Sequence, residues 1–581
     1  MKNTLLLFLF CIIVGISSTF GQDKNYNGLS KDLLLQNKEE VFIDYNSTFL
    51  LAGETLYYKF YCLDPDSGKP TIISKIGYIE LTGEDGKRIF LQKVALENGN
   101  GYGDFLIPST VPSGTYKLTG YTRWMLNAGR DHYFKEDVVI INPYLEDQSN
   151  ILLAGEAPQD NMSSAGDASK NNIVINNNLY SLGTSANNYG KREEVVIEIR
   201  KLNAGSAKGN FSLSVKKMEE FVTPMASTAI NYKDQYQIEN WDLGSTIILP
   251  DLRGEVVSGK IVEENSTIGI GDRSLVYSIP GKSFFIRIAK TSPDGSFIFN
   301  RDSKDFGSRA YLQVLGEGNE NFDIILDEVQ SIEKRDLEFN KFRVTPSMAD
   351  LIRQRSIYNQ VENSYSVVKQ DSLLPGEASL PFYGTLPEIY NLDDFTRFPT
   401  LRETFIEIIQ MSRISRNRDG TSRFELISQG DLGIEPLLIV DGIIVQNHED
   451  LVHYDARKIK SIGLQREEYY LGPEAFKGLI VFETVNGDFF SSLNRPYIQT
   501  SDIQNVQPKK EYFQPQYDSG KTPRIPDYRL QLLWQPVVLI GDSFREIRFF
   551  TSDVPGNYEI SLEGFTDNGE AVSLKKVIKV Q

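Results

Sequence analysis

Short runs of alternating apolar and polar residues fill most of the chain. LAGETLYYKFYCLD alternates through its centre, which puts Leu56, Tyr58 and Phe60 on one face of a strand. SKIGYIELTGEDGKRIFLQKVAL reads as two strands joined by a turn at Glu84-Asp85-Gly86. In GDFLIPSTVPSGTYKLTGYTRWM, Pro112-Ser113-Gly114 makes a tight turn, and Tyr116, Leu118 and Gly120 continue one strand face. EEVVIEIRKL and GNFSLSVKKM predict a second set of strands after residue 193. LRGEVVSG, TSPDGSFIFNRDS and NFDIILDE predict a third, with Phe297 and Phe299 on one face. DYRLQLLWQPVVLI, REIRFFTSDVPGNYEISLEGFT and EAVSLKKVIKV predict a last set, either a sandwich or strands docked on an earlier one.

Between these β regions the period changes. MADLIRQRSIYNQVENSYSVV has helical spacing that groups Leu351, Ile357 and Val361 on one face. LRETFIEIIQMSRI is expected to be the clearest helix, with the apolar stripe Leu401, Phe405, Ile408 and Ile409. Thr400 and Glu403 form a capping box at its start. Two unbroken apolar runs, Leu437–Val440 and Leu479–Phe482, read as buried strands, and Ile459–Leu464 as a third. Asp441-Gly442 closes the first with a turn. The stretch 435–483 is therefore a small α+β unit on which the helix from residue 401 should pack.

Composition narrows the function classes. The net charge of -17 argues against nucleic acid and anionic membrane surfaces as partners. The 29 Tyr, 33 Phe and 45 Gly favour β-rich domains, and 581 residues allow roughly three to five of them. Lys2, the apolar run Leu5–Val14 and the small residues before Gln22 read as an export signal over residues 1–21, not a membrane anchor. Cys11 lies too early in that run for lipid anchoring. After cleavage only Cys62 remains, so no internal disulfide can form, as suits a bacterial envelope protein. Residues 151–178 are rich in Ala, Ser, Gly, Asn and Asp and read equally as a flexible linker or an inserted surface loop.

Three resemblances attach to these segments. AGETLYYKFY, the block ending in GTYKLTGYTRWM and the closing IINPY resemble a macroglobulin-like (MG2-type) domain of Bacteroidota envelope proteins. LRGEVVSG with PDGSFIF resembles the carboxypeptidase regulatory-like sandwich, a structural module. PLLIVDG, IKSIGL and YYLGPEAFKGLIVFET, in that order and spacing, resemble the plug domain of TonB-dependent outer-membrane receptors. The last resemblance implies that Tyr470, Leu471 and Gly472 open a helix with Ala475 on its next turn. It places Asp441, Gly442, Tyr470, Gly472 and Gly478 in the region that contacts a barrel. Only 98 residues follow Glu483, too few strands for a transmembrane barrel in the same chain. The resemblance therefore implies a plug acting on a separate barrel, as periplasmic plug subunits do for some Bacteroidota secretion translocons.

Catalytic chemistry finds little support. His448 and His453 stand five apart in HEDLVH, which is not the zinc-protease spacing, and surface-loop positions are expected for them and for His132. Cys62 lies on a strand and reads as an inert thiol. Glu467-Glu468 are adjacent and do not converge across a bond as glycosidase carboxylates do. Asp294 reads as a turn residue, since the calcium-loop pattern is absent. Trp124 is a candidate binding aromatic, with packing the expected role near its strand end, and Trp241 lies in the expected loops of 221–245.

The expectation is a multidomain, mainly β chain: tandem β-sandwiches with one small α+β plug-like domain. Its boundaries are a signal peptide (1–21), leader (22–45), macroglobulin-like sandwich (46–150), and linker with second sandwich (151–250). A regulatory-like sandwich (251–335), connector (336–394), plug-like domain (395–490), extended connector (491–526) and C-terminal β domain (527–581) follow. The expected function is non-enzymatic: no cofactor, no metal, no transmembrane segment, and a separate outer-membrane β-barrel as partner at the periplasmic face. An adhesion or scaffold protein binding protein or glycan is the alternative, as is an accessory to a nutrient receptor.

Overall fold

The computed structural model describes residues 37–151, 179–202, 208–235, 247–263, 269–281, 284–302, 307–328, 337–375, 381–427, 435–490, 495–517, 525–541 and 544–581. The export signal with Cys11, the leader up to residue 36, the tract 152–178 and Trp241 lie outside the described residues.

The chain is mainly β, with tandem sandwiches and one small α+β unit. In the first sandwich, Thr55–Leu63 is the middle strand of a three-stranded sheet, flanked by Glu40–Tyr45 and Asn100–Leu106. The opposing five-stranded sheet runs Phe49–Leu51, Phe134–Ile141, Gly114–Thr122, Ile76–Gly83, Arg88–Ala95. Leu56, Tyr58 and Phe60 face its core, as alternation requires. The opposite face of that strand is also covered: Lys59 Nζ donates to Asn210 Oδ1 (2.7 Å) and Tyr61 Oη to Glu563 O (2.9 Å), both on the second sandwich. Trp124 is buried, and its Nε1 donates to Asn37 O (2.5 Å), so it packs rather than presents a face.

The second sandwich draws its strands from two distant parts of the chain. One sheet runs Asn188–Tyr189, Ala571–Val580, Gly556–Thr566, Gly209–Lys217, Gln531–Ile540, and the other Phe544–Phe550, Glu194–Lys201, Tyr180–Thr184. Leu213 pairs with Leu562 and Ile197 with Ile547. The segment 527–581 is thus not a sandwich of its own. Its strands lie in both sheets, and residues 180–217 complete them: Gly209–Lys217 sits between Gly556–Thr566 and Gln531–Ile540, and Glu194–Lys201 pairs with Phe544–Phe550.

The third sandwich holds Ser296–Arg301, Glu255–Glu263 and Phe322–Leu326 against Phe285–Lys290, Ser274–Ile279, Arg309–Val314 and Gln499–Asp502. Asp294 Oδ1 accepts from Ser296 Oγ (2.7 Å), holding the turn before Gly295. The tract after residue 498 is more than a connector. Gln499–Asp502 completes this sheet, and Lys510–Glu511 pairs with Ser372–Leu373.

The longest described helix is Ala349–Ser364. Its buried residues are Ile352, Arg355, Ser356 and Asn359, while Ile357 is exposed. The face expected from Leu351, Ile357 and Val361 is therefore not the docked one, because polar contacts orient the helix. Arg355 donates Nε and Nη2 to the two Glu54 carboxylate oxygens (2.7 Å each), and Asn359 Nδ2 donates to Ala52 O (2.9 Å).

Candidate protein-interaction site

The α+β unit is built on a sheet in the order Glu388–Asn391, Ile459–Gln465, Leu479–Thr484, Leu437–Val440, Ile443–Ile444. Leu437–Val440 and Leu479–Thr484 run parallel, so the chain between them must cross over, and the short helix His448–Val452 lies in that crossover. The helix Leu401–Glu407 covers the same face. Thr400 Oγ1 accepts from Glu403 N (3.2 Å), the N-cap half of the expected capping box, and donates to Glu403 Oε2 (2.7 Å), so the Glu403 side chain returns to the cap's hydroxyl. That helix is shorter than expected, since Ser412–Arg416 is already a strand; Ile408 and Ile409 remain in the core.

The two apolar runs are unbroken because both faces of the sheet are buried. Leu438, Val440, Ile480 and Phe482 join Leu401, Phe405 and Phe424 in the unit's own core. Leu437, Ile439 and Leu479 instead meet Val276, Ile286 and Ile288 of the third sandwich. Polar bonds pin the same seam. Gln313 Nε2 donates to Ile444 O (2.9 Å), Gln446 Nε2 donates to Gln313 Oε1 (2.8 Å), and Ser274 Oγ donates to Glu474 Oε1.

The five expected contact residues do not share one surface. Asp441 and Gly442 form a turn with φ of 49° and 86°, a left-handed pair suited to a tight hairpin. The Asp441 carboxylate accepts from Thr484 N (2.8 Å) and Thr484 Oγ1 (2.7 Å), tying the turn to the neighbouring strand end. Gly442 abuts the third sandwich, where a Cβ would lie 2.4 Å from Phe284 Cβ. At Gly472 a Cβ would meet Ile288 O of that same sandwich. Gly478 lies inside the unit's own sheet, where a Cβ would meet Gln465 O. Tyr470 is exposed, at 66 %, as is Gly472 two residues on, and the Tyr470 hydroxyl donates to Glu468 (2.7 Å).

Tyr470 and Gly472 do not open a helix. Tyr469–Leu471 and Glu474–Phe476 form a hairpin turning at Gly472-Pro473. Gly472 has φ of 60°, and proline after it cannot donate into a helix.

His448 is also placed differently from expectation. It is buried, and its Nδ1 accepts from Phe424 N (3.1 Å). Burial pushes its pKa down, so the imidazole is neutral. His453 is exposed and lies 2.9 Å from Glu449. Cys62 is fully buried, and burial raises its thiol pKa well above the ordinary range. Among the described residues, no group of three or more His, Cys, Asp or Glu side chains is placed to hold a metal ion.

What the unit offers to a partner is its outward side. Ile389 on the free edge strand, Phe395, Ile406 on the outer helix face and Ile427 are all exposed. Sequence reasoning passed over them. Their signal was an apolar residue off the core stripe, as Ile406 is beside Phe405 and Ile409. Among the described residues no helix is long and apolar enough to cross a membrane.

No family model and no curated protein matches the chain. Among solved structures, Escherichia coli alpha-2-macroglobulin activated by porcine elastase aligns at 9% identity and a TM-score of 0.24, over 94% of this chain and 44% of that one. Salmonella alpha-2-macroglobulin reacted with methylamine aligns at 9% identity and a TM-score of 0.23, over 94% and 40%. Yersinia pseudotuberculosis adhesin InvE aligns at 11% identity and a TM-score of 0.13, over 65% and 72%. The chain thus spans under half the length of the macroglobulins it aligns with, and superpositions this loose assign it neither a fold family nor an activity.

Proposed function

We propose that this chain is a non-catalytic binding subunit whose α+β unit engages a separate outer-membrane β-barrel from the periplasmic side and occludes or regulates it. A protein-export channel is the favoured case, because a wide pore leaks when idle. One observation carries the reading. The unit's sheet is fixed to the third sandwich by the seam of Leu437, Ile439 and Leu479 against Val276, Ile286 and Ile288. The sandwiches therefore hold it as one piece, and the Tyr470 hairpin and the Ile389 and Ile406 surface are left to meet a partner. The resemblance of Pro436–Gly442, Ile459–Leu464 and Gly478–Thr484 to a TonB-receptor plug supplies the class of partner.

The test is site-specific photo-crosslinking in cells from Tyr470 and Ile406, followed by membrane extraction. The expected product joins the chain to one large barrel protein. Crosslinks confined to surface polysaccharide or peptidoglycan would replace this reading with an adhesion role. Crosslinks to no outer-membrane protein would end it.

A further inference from the structure

One hairpin of the α+β unit carries charge of the opposite sign to the rest of the chain. Ser412–Arg416 and Ser422–Leu426 pair antiparallel beside the helix Leu401–Glu407. Residues 412–426 hold Arg413, Arg416, Arg418 and Arg423 against Asp419 and Glu425, a net charge of +2 in a chain of -17. The arginines are of two kinds. Arg413 and Arg423 share one carboxylate, their Nε atoms donating to Glu425 Oε2 and Oε1 (2.8 Å each). Arg416 and Arg418, at the tip, are exposed, and neither side chain has an ion pair or hydrogen bond among the described residues. The acid beside them braces the turn instead: Asp419 Oδ1 accepts from Thr421 N (3.0 Å) and Thr421 Oγ1 (2.6 Å). On the flanking helices, Glu403 is held by Thr400 Oγ1 (2.7 Å), and Glu449 by Ser422 N and His453.

Apolar surface adjoins these charges. Arg402 donates to Ile414 O and Ser422 Oγ (3.4 Å each), so its side of the helix meets the hairpin. Ile406 lies one turn further on that side and is 72 % exposed. Ile427 N donates to Met411 O (2.9 Å), which extends the pairing by one residue and sets Ile427, also exposed, on the face of Arg423 and Glu425. A guanidinium fork matches carboxylate and phosphate alike, so charge alone selects an anion. Composition and field select a protein. Arginine beside exposed isoleucine, with no lysine in the hairpin, is the make-up of a protein interface, where Arg is enriched and Lys depleted. An anionic leaflet would repel the rest of this acidic chain.

Resting on the reading above that the α+β unit meets a protein partner, we propose that this hairpin docks on an acidic, carboxylate-bearing surface of that partner, with Arg416 and Arg418 as charged anchors and Ile406 and Ile427 packed beside them. The test uses the full chain in cells, with a photo-crosslinker at Ile406 or, for comparison, at Tyr470, and the crosslinked partner segment mapped by mass spectrometry. The Ile406 product is expected to join a segment rich in Asp and Glu. Arg416→Glu with Arg418→Glu should lower its yield about tenfold or more with unchanged circular dichroism, while Lys579→Glu on the second sandwich leaves it unchanged. Changing the mapped carboxylates to lysine should restore part of the loss. An Ile406 product on a segment without acids, or one that the double reversal leaves unchanged, overturns the proposal. Ile406 products confined to phospholipid or lipopolysaccharide replace the carboxylate surface with lipid phosphate and overturn it too. Barrel products from Tyr470 with none from Ile406 overturn it while the barrel reading stands. An acidic segment of a protein that is not a barrel supports it while the barrel reading falls.

Discussion

Glu563→Gln should stabilise this protein above neutral pH and leave it unchanged in mild acid. Glu563 sits between the first two sandwiches, 3 % exposed. Its Oε1 accepts from Ser573 Oγ (2.6 Å) and its Oε2 from Ala229 N (3.0 Å). Burial, and then the charge of Asp44, push its pKa up from 4.5 to about 8. Asp44, held by Ser212 Oγ (2.5 Å), is itself pushed up to about 6, chiefly by burial. A raised carboxyl pKa adds stability that is complete below the unfolded value and is lost as pH climbs through the folded one. The wild-type interface should therefore weaken from about pH 4.5 to about 8. At about 1.4 kcal/mol per unit of pKa, the loss at Glu563 amounts to roughly 3–5 kcal/mol by pH 9. Glutamine has no proton to lose. Its oxygen can accept from Ala229 N and its amide can donate to Ser573.

The assay is amide exchange by mass spectrometry on peptides covering Gly556–Thr566, with both proteins compared at one pH so that intrinsic rates cancel. Protection in the variant should exceed wild type by about a hundredfold or more at pH 9 and match it within a few-fold at pH 5. Equal protection at pH 9, or an equal gain at both pH values, would refute the reasoning.

Other expectations follow from single contacts. Arg355→Met strips a buried guanidinium from Glu54 and Glu219 and leaves two carboxylates without their cation; the loss should be roughly 3–5 kcal/mol by urea denaturation, with Arg355→Lys a poor rescue because it cannot bond Glu54 bidentately. Thr400→Ala removes the cap of the helix Leu401–Glu407 and should cost about 1 kcal/mol, read from exchange of its first-turn amides, with Thr400→Ser close to wild type. Gly442→Val forces a branched side chain into Phe284 at a left-handed backbone position. It should cost roughly 1–3 kcal/mol and loosen the seam, seen as faster exchange in Phe285–Lys290 while the first sandwich is unaffected.

The α+β unit shows how far local pattern reaches. Leu437–Val440 and Leu479–Phe482 were legible as buried strands from their apolar runs, and Thr400 with Glu403 announced a helix start. The surface burying the second face of that sheet was not legible. It comes from Val276, Ile286 and Ile288, and an apolar run states only that both faces are covered. Tyr470 and Gly472 were assigned to a helix from a resemblance, although Gly472-Pro473 is local turn chemistry and makes a hairpin. Of the contact residues expected there, Gly442 and Gly472 approach the neighbouring sandwich closely, a contact that no local pattern announces.

By itself the amino-acid sequence determined the mainly β class, the strands with one apolar face, the turns that need glycine and the capped helix, since these depend on residues within a few positions of one another. Tertiary structure alone decided that residues 180–217 and 527–581 build one sandwich and that the helix Ala349–Ser364 docks by Arg355 and Asn359. Strand partners and polar docking faces arise between segments hundreds of residues apart, and no periodicity within a segment encodes which distant surface completes it.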